Sequence, residues 1–229
     1  MGPLDSGVHK AVLFDLDGTL VDTAPDMVAV LQSLQADRGL DPVDYSVGRS
    51  HVSNGAAGLL HLGFPDSDDE LREELRLEFL QRYAVGICEH SAIFAGLERL
   101  LDHLDDGGVR WGVVTNKPHD LTEPLLAALQ LTERVACCVS GDTLSLRKPD
   151  PAPLLHACKL AGVNAGESMY IGDASRDIQA GRAAGMATIA AAYGYITADD
   201  SADVWGADSI AADTEELAKI VLKAVNLGP

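Results

Sequence analysis

Basic residues are scarce in this chain of 229 residues, where 17 lysines and arginines stand against 35 aspartates and glutamates. The resulting formal charge of -18 repels the phosphates of nucleic acids and the anionic lipids of membrane surfaces. The composition therefore argues against a nucleic-acid partner. We interpret the acidic excess itself as a solvated surface.

Cysteines and long apolar runs are also few. The four cysteines form no CxxC pair, no stretch approaches the length of a membrane-spanning helix, and the opening MGPLDSGVHK lacks the apolar core of a signal peptide. These absences predict reduced thiols, no membrane partner and a cytoplasmic protein. What the chain does have is 47% hydrophobic residues, enough for a sizeable core.

Short apolar runs typical of strands recur along the chain, at residues 11–14, 111–114, 135–139, 169–171, 187–191 and 209–211. From residue 96 onward, helical patterns fall between these runs, at residues 96–105, 119–129, 151–161, 177–184 and 214–225. The alternation predicts an α/β fold with a Rossmann-like parallel sheet that carries helices on both faces. Sheets of this kind bind ligands beyond the carboxyl ends of their strands.

The alternation breaks once, between the first two strands of the predicted sheet. Only helical patterns occur there, at residues 25–38, 56–62 and 68–84. A segment of this length is too long for a loop in a compact domain. We therefore predict a core domain of residues 1–21 and 92–229 and an inserted helical domain of residues 22–91, which we call the helical cap, above the end of the first strand.

Polar residues lie in the segments that follow four of the predicted strands. Asp15 and Asp17 follow the first strand in KAVLFDLDGTLVDT, where an unpaired buried carboxylate would be costly. The other three strands are followed by Thr115 and Asn116, by Lys148, and by Gly172, Asp173 and Asp177. Because parallel strands end at one edge, these groups should meet in one crevice, which suits a divalent cation and a phosphoryl group. A pair of aspartates allows one to attack phosphorus and the other to move protons.

Four segments, DLDGTLVDT, VVTN, KPDP and IGDASRD, resemble in this order the signature motifs of the haloacid dehalogenase superfamily. The resemblance covers nearly the whole chain, including a helical cap after the first motif. It implies that Asp15 is the nucleophile and that Asp17 is the general acid and base, which also binds Mg²⁺ through its backbone carbonyl. The remaining implied roles are phosphoryl binding by Thr115 and Asn116, charge neutralisation by Lys148, metal ligation by Asp173 and support of the metal site by Asp177.

Within the superfamily, GVVTNKP, KPDPAPLL and GDASRDIQAGRAAGM look most like the phosphoglycolate phosphatase group. The pieces WGVVTNKP, YGYI and WGAD are also similar to bacterial phosphatases that act on N-acetylmuramic acid 6-phosphate. The core motifs report the chemistry and not the leaving group, so both substrates stay open. Either resemblance implies a Mg²⁺-dependent phosphomonoester hydrolase, monomeric or homodimeric, that acts on a small phosphate ester through an aspartyl-phosphate.

The substrate-facing segment of the helical cap is predicted at VGRSHVSNGAAG, residues 47–58. It is small, polar and rich in glycine, and it precedes a helix whose N-terminal amides could approach an anion. Arg49 and Asn54, with Ser53, are the candidate substrate-binding residues. The start of an ordinary helix explains the same pattern equally well, and Lys117 is open between a substrate contact and a surface position.

Three other functions share parts of this pattern. A receiver-type signalling domain gathers similar residues, but it is far shorter and a resident general base at Asp17 would not suit a stable phospho-aspartate. A dehalogenase shares the fold, although paired aspartates at a metal favour phosphorus chemistry. A phosphoglucomutase stays open, because its distinguishing property is the lifetime of the phospho-aspartate.

Overall fold

The main sheet of the computed structural model, which describes residues 9–228, consists of six parallel strands. In chain order they are β1 (Ala11–Phe14), β4 (Arg110–Val114), β5 (Cys137–Val139), β6 (Ser168–Gly172), β7 (Ala187–Ala191) and β8 (Ser209–Ala211). Their spatial order is β5-β4-β1-β6-β7-β8, so β1 lies between β4 and β6. The predicted parallel α/β sheet is confirmed.

Helices cover both faces of this sheet because successive strand residues point to opposite sides. Val12 and Phe14 pack on one side in a hydrophobic cluster with residues of α5 (Leu97–Asp106), α6 (His119–Ala128) and α9 (Thr214–Ala224). Leu13 packs on the other side with residues of α7 (Ala152–Ala161) and α8 (Ser175–Ala183). Every residue of β1 is fully buried, as its uninterrupted apolar run predicted.

The helical cap contains α1 (Ala24–Ala36), α2 (Tyr45–Ser50), α3 (Gly55–Gly63) and α4 (Asp69–Val85). An antiparallel ribbon of β2 (Val21–Asp22) and β3 (Ala92–Ile93) joins the two connections between the cap and the sheet. Buried apolar residues of α1, α3 and α4 form a hydrophobic cluster, which also includes Leu121 and Tyr195 from outside the cap. The apolar pattern predicted these three helices. It did not predict α2 or the ribbon, since six or two residues are too few to show a period.

Two further expectations concern thiols and membranes. All four cysteines are free, and burial raises the pKa of Cys137 to about 12, which keeps that thiol protonated. Among the helices of residues 9–228, none has the length and apolar character that a membrane span requires.

Candidate active site

Asp15 lies at the carboxyl end of β1, where the backbone fixes its direction. Its amide donates to the Ile171 carbonyl of the neighbouring strand at 2.8 Å, and its Oδ1 accepts from the Leu16 amide at 2.7 Å. Burial raises the pKa of Asp15, and the nearby Lys148 ammonium opposes that rise. The strand end therefore presents a buried carboxylate whose charge depends on an adjacent cation.

Lys148 supplies that cation. Its Nζ lies 2.8 Å from Asp15 Oδ1 and 2.8 Å from Asp177 Oδ1, and its side chain is fully buried. The same ammonium donates to the Tyr170 hydroxyl at 2.8 Å. Burial alone would lower the pKa of Lys148, but the Asp15 and Asp177 carboxylates hold it above its usual value. A buried ammonium held between two carboxylates is fixed in position and charge.

Three carboxylates gather at this edge of the sheet. Asp15, Asp173 and Asp177 each offer an oxygen atom, and these atoms lie within 4.8 Å of one another. Asp173 Oδ1 is buried and has no hydrogen-bond partner among residues 9–228. Burial, together with the charges of Asp15 and Asp177, raises the pKa of Asp173 to about 7. A crowded set of hard oxygen donors with one unpaired atom fits a divalent cation such as Mg²⁺.

Gly18 allows this cluster to form. Its φ of +80° is unfavourable for residues with side chains, and a Cβ atom there would lie 2.1 Å from Asp173 Oδ2. A glycine is therefore needed after Asp17, because Asp173 occupies the space that any other side chain would fill.

The carboxylate of Asp17 lies apart from the three-carboxylate cluster. Its Oδ1 accepts from Thr23 Oγ1 at 2.6 Å and from Lys117 Nζ at 2.8 Å. The Lys117 side chain is only 5% exposed. Its ammonium also donates to the Tyr83 hydroxyl, which comes from α4 of the helical cap, at 3.0 Å. Two aspartates separated by one residue thus have different surroundings, as different chemical roles require.

Thr115 and Asn116, which follow β4, both line a cavity between the sheet edge and the helical cap. The Asn116 side chain also has a second task. Its Nδ2 donates to the Lys148 carbonyl at 3.0 Å, and its Oδ1 accepts from the Lys148 amide at 3.1 Å. The amide group of Asn116 therefore holds the loop that carries Lys148. Thr115 Oγ1 accepts from the Lys117 amide at 3.1 Å.

The cavity has a volume of about 350 Å³, within the range of small-molecule sites. Asp15, Asp17 and Asn54 are among its lining residues, so the structure brings these predicted site residues together. Arg49 is not among them. Its Nη1 lies 2.6 Å from Asp22 Oδ1, and its guanidinium carbon is 4.7 Å from the centre of the Tyr195 ring. Arg49 lies there because Asp22 and Tyr195 give it a carboxylate and an aromatic face.

Sequence reasoning missed several contacts at this site. Ser53 Oγ, within the predicted cap segment, donates to Asp173 Oδ2 at 2.5 Å. Arg176 Nη2 donates to the Ser53 carbonyl at 2.5 Å, which ties the cap segment to the start of α8. The signal for Arg176 was its place in IGDASRD, one position before Asp177. No sequence signal distinguished Tyr83 from the other apolar-face residues of α4.

This geometry agrees with comparison to known proteins. Residues 12–191 match the family described as haloacid dehalogenase-like hydrolase, and the chain belongs to that family. The strand order, carboxylate cluster and buried lysine described above are therefore those of a haloacid dehalogenase-like hydrolase. Within the family, the chain is a phosphatase.

Two curated relatives and one solved structure illustrate the likeness. An N-acetylmuramic acid 6-phosphate phosphatase of Pseudomonas putida is 43% identical over 94% of this chain and 97% of its own length. A phosphoglycolate phosphatase of Xanthomonas campestris is 43% identical over 91% of this chain and 94% of its own. The crystal structure of a predicted phosphoglycolate phosphatase from Haemophilus somnus superimposes with a TM-score of 0.83 at 26% identity, covering 94% of this chain and 99% of that one.

Proposed function

We propose that this protein is a Mg²⁺-dependent phosphomonoesterase of the phosphoglycolate phosphatase type, which hydrolyses a small phosphate ester through an aspartyl-phosphate on Asp15. The observation that carries the proposal is the three-carboxylate cluster beside Lys148, with an unpaired oxygen on Asp173. The separate position of Asp17 at the cavity supports a division of labour between the two aspartates.

The reaction proceeds in two steps. A carboxylate oxygen of Asp15 attacks phosphorus, the bond from phosphorus to the ester oxygen breaks, and Asp17 gives its proton to the departing alcohol. Water then attacks the phosphoryl group and gives a proton to Asp17, and the bond from phosphorus to Asp15 breaks. The products are an alcohol and inorganic phosphate, and both aspartates return to their starting states.

The remaining residues hold charge and position. Asp15, Asp173 and the backbone carbonyl of Asp17 would hold Mg²⁺, with Asp177 supporting the site. Bound Mg²⁺ would offset the negative charge of the phosphoryl oxygens. Lys148 favours the ionised form of Asp15 at the strand end, against the effect of burial, and Thr115 with the backbone of Asn116 contacts the phosphoryl group. Asn54 of the helical cap contacts the rest of the substrate.

The volume and lining of the cavity support a second candidate substrate, N-acetylmuramic acid 6-phosphate. A volume of about 350 Å³ is large for phosphoglycolate, and part of the wall is apolar, from Met27, Val52, Phe79 and Leu80. An amino sugar with acetyl and lactyl methyl groups would cover that wall. Its carboxylate has a partner in Arg147, an exposed cavity residue that forms no ion pair within residues 9–228.

We also propose where the domains divide, where the enzyme is located and which partners it lacks. We place the domain boundaries at residues 22 and 91, the first within β2 and the second directly before β3, and we expect a cytoplasmic monomer or homodimer. Neither nucleic acid nor a membrane is proposed as a partner, because the formal charge of -18 disfavours both.

The experiment that tests this function is a phosphate-release screen with the purified protein. The panel includes phosphoglycolate, hexose phosphates, amino-sugar phosphates with N-acetylmuramic acid 6-phosphate among them, and p-nitrophenyl phosphate, each with Mg²⁺ and with excess chelator. We expect release that stops in chelator and that is fastest for one carboxylate-bearing ester. Full activity in chelator would contradict the metal proposal, and no release from any ester would contradict the function.

A further inference from the structure

Lys117 is a buried cation that the two-step reaction above does not use. It follows Thr115 and Asn116 after β4, and three hydrogen bonds fix its backbone. Its amide donates to Thr115 Oγ1 at 3.1 Å, while its carbonyl accepts from the Gly141 amide at 2.8 Å and from Thr122 Oγ1 at 3.2 Å. The side chain therefore begins from a rigid point beneath the helical cap.

The Lys117 ammonium joins two groups from different parts of the fold. It donates to Asp17 Oδ1 at 2.8 Å and to the Tyr83 hydroxyl at 3.0 Å. Tyr83 is 1% exposed and belongs to the hydrophobic cluster of the helical cap. The position of α4 therefore affects the position of the ammonium, and the ammonium is bonded to the carboxylate of Asp17.

The contacts of Asp17 are asymmetric. Oδ1 accepts from both Lys117 Nζ and Thr23 Oγ1, at 2.8 Å and 2.6 Å, whereas Oδ2 has no donor within residues 9–228. Two donors on one oxygen fix the rotation of the carboxyl group about its own axis. The other oxygen is left to exchange a proton with the substrate, since Asp17 lines the cavity.

We propose that Lys117 is a positioning residue for the acid and base role of Asp17, and that Tyr83 of the helical cap holds Lys117 in place for it. This inference rests on the proposed function. Lys117 keeps its own proton throughout, and it neither forms nor breaks a bond to the substrate. The helical cap would then contribute to proton transfer as well as to substrate choice.

The proposal predicts an effect that depends on the leaving group. The value of kcat/KM reports steps up to departure of the alcohol, which in an alkyl ester needs a proton from Asp17. The p-nitrophenolate ion departs without one. We therefore expect Lys117→Met to lower kcat/KM about a hundredfold for the best alkyl phosphate of the panel, and less than about fivefold for p-nitrophenyl phosphate.

Tyr83→Phe is the milder variant, because it removes only the hydroxyl and keeps the ring in the cap cluster. We expect a loss of about threefold to tenfold, again confined to the alkyl ester. Lys219→Met is the matched control: Lys219 also pairs with a carboxylate, Glu215 at 2.7 Å, but on the exposed side of α9. That variant should leave both rates unchanged, and circular dichroism melting checks the fold of all three.

Three outcomes would overturn the inference. Equal losses on both esters in Lys117→Met would mean a structural role, and a raised KM with unchanged kcat would mean a direct substrate contact. If Lys117→Met fails to fold, Tyr83→Phe decides, and an unchanged alkyl rate there would exclude the link to the cap. A wild-type protein that hydrolyses neither ester would instead contradict the proposed function itself.

Discussion

The sheet edge and the helical cap line the same cavity but contribute to it differently. At the sheet edge, Asp15, Lys148 and Asp177 are 0 to 7% exposed and joined by contacts of 2.8 Å. The helical cap reaches the site through a few hydrogen bonds: Ser53 donates to Asp173 and accepts from Arg176, and Tyr83 accepts from Lys117. The comparison suggests that the sheet edge carries the chemistry, while the helical cap adjusts it and selects the substrate.

The largest expected effect concerns the sheet edge. Asp15→Asn keeps the shape of the side chain but removes the nucleophile, so we expect turnover to fall at least about a thousandfold with little change in melting temperature. Asp199→Asn, at an exposed position, serves as the control and should keep full activity. Measured phosphate release above a few per cent of the wild-type rate, in a preparation free of deamidation, would exclude Asp15 as the nucleophile.

The next prediction concerns Asp173, and it uses protein stability to detect metal binding independently of activity. Without metal, the folded-state pKa of Asp173, about 7, exceeds its ordinary value of 3.8. The folded state therefore holds a proton that the unfolded state releases, and stability falls as the pH rises from about 4 to 7. We expect Asp173→Asn to remove this dependence and to stabilise the metal-free protein at pH 8 by a few kcal/mol, roughly.

Thermal melts between about pH 4 and pH 8 measure the pH dependence without metal, and melts at pH 8 with and without Mg²⁺ measure metal binding. Mg²⁺ should raise the melting temperature of the wild type, because it binds only the folded cluster, and it should leave Asp173→Asn unchanged. A variant that Mg²⁺ stabilises as much as the wild type would show that Asp173 is not a metal ligand.

We expect smaller effects from substitutions in the helical cap. Asn54→Ala tests substrate choice, and Arg49→Ala tests the position of the cap. Asn54 lines the cavity, so Asn54→Ala should lower kcat/KM about tenfold to a hundredfold for the best panel substrate and far less for p-nitrophenyl phosphate. Arg49 binds Asp22 instead, so Arg49→Ala should affect both esters equally and only severalfold. A selective loss in Arg49→Ala would restore it as a substrate contact, as its sequence position suggested.

The same division explains what the sequence could predict. Asp15, Lys148 and Asp173 were predictable because parallel strands end at one edge, so a residue after a strand has a known location. Arg49 and Tyr83 were not, because helical periodicity predicts which face of a helix is buried but not the partner of a polar atom on it. Asp22 shows this limit of sequence prediction most clearly. It lies in a two-residue strand that is too short to show a pattern, yet the Asp22 carboxylate determines where Arg49 lies.

The central claim is that a phosphoryl group is transferred to Asp15, and chemical trapping tests it most directly. Borohydride added during steady-state turnover reduces an aspartyl-phosphate to homoserine, which peptide mass spectrometry locates by residue. We predict homoserine at position 15 in the wild type, none in Asp15→Asn, and none when Mg²⁺ is withheld. Homoserine at Asp17 or Asp173, or an unmodified Asp15 in protein that is turning over substrate, would contradict the account.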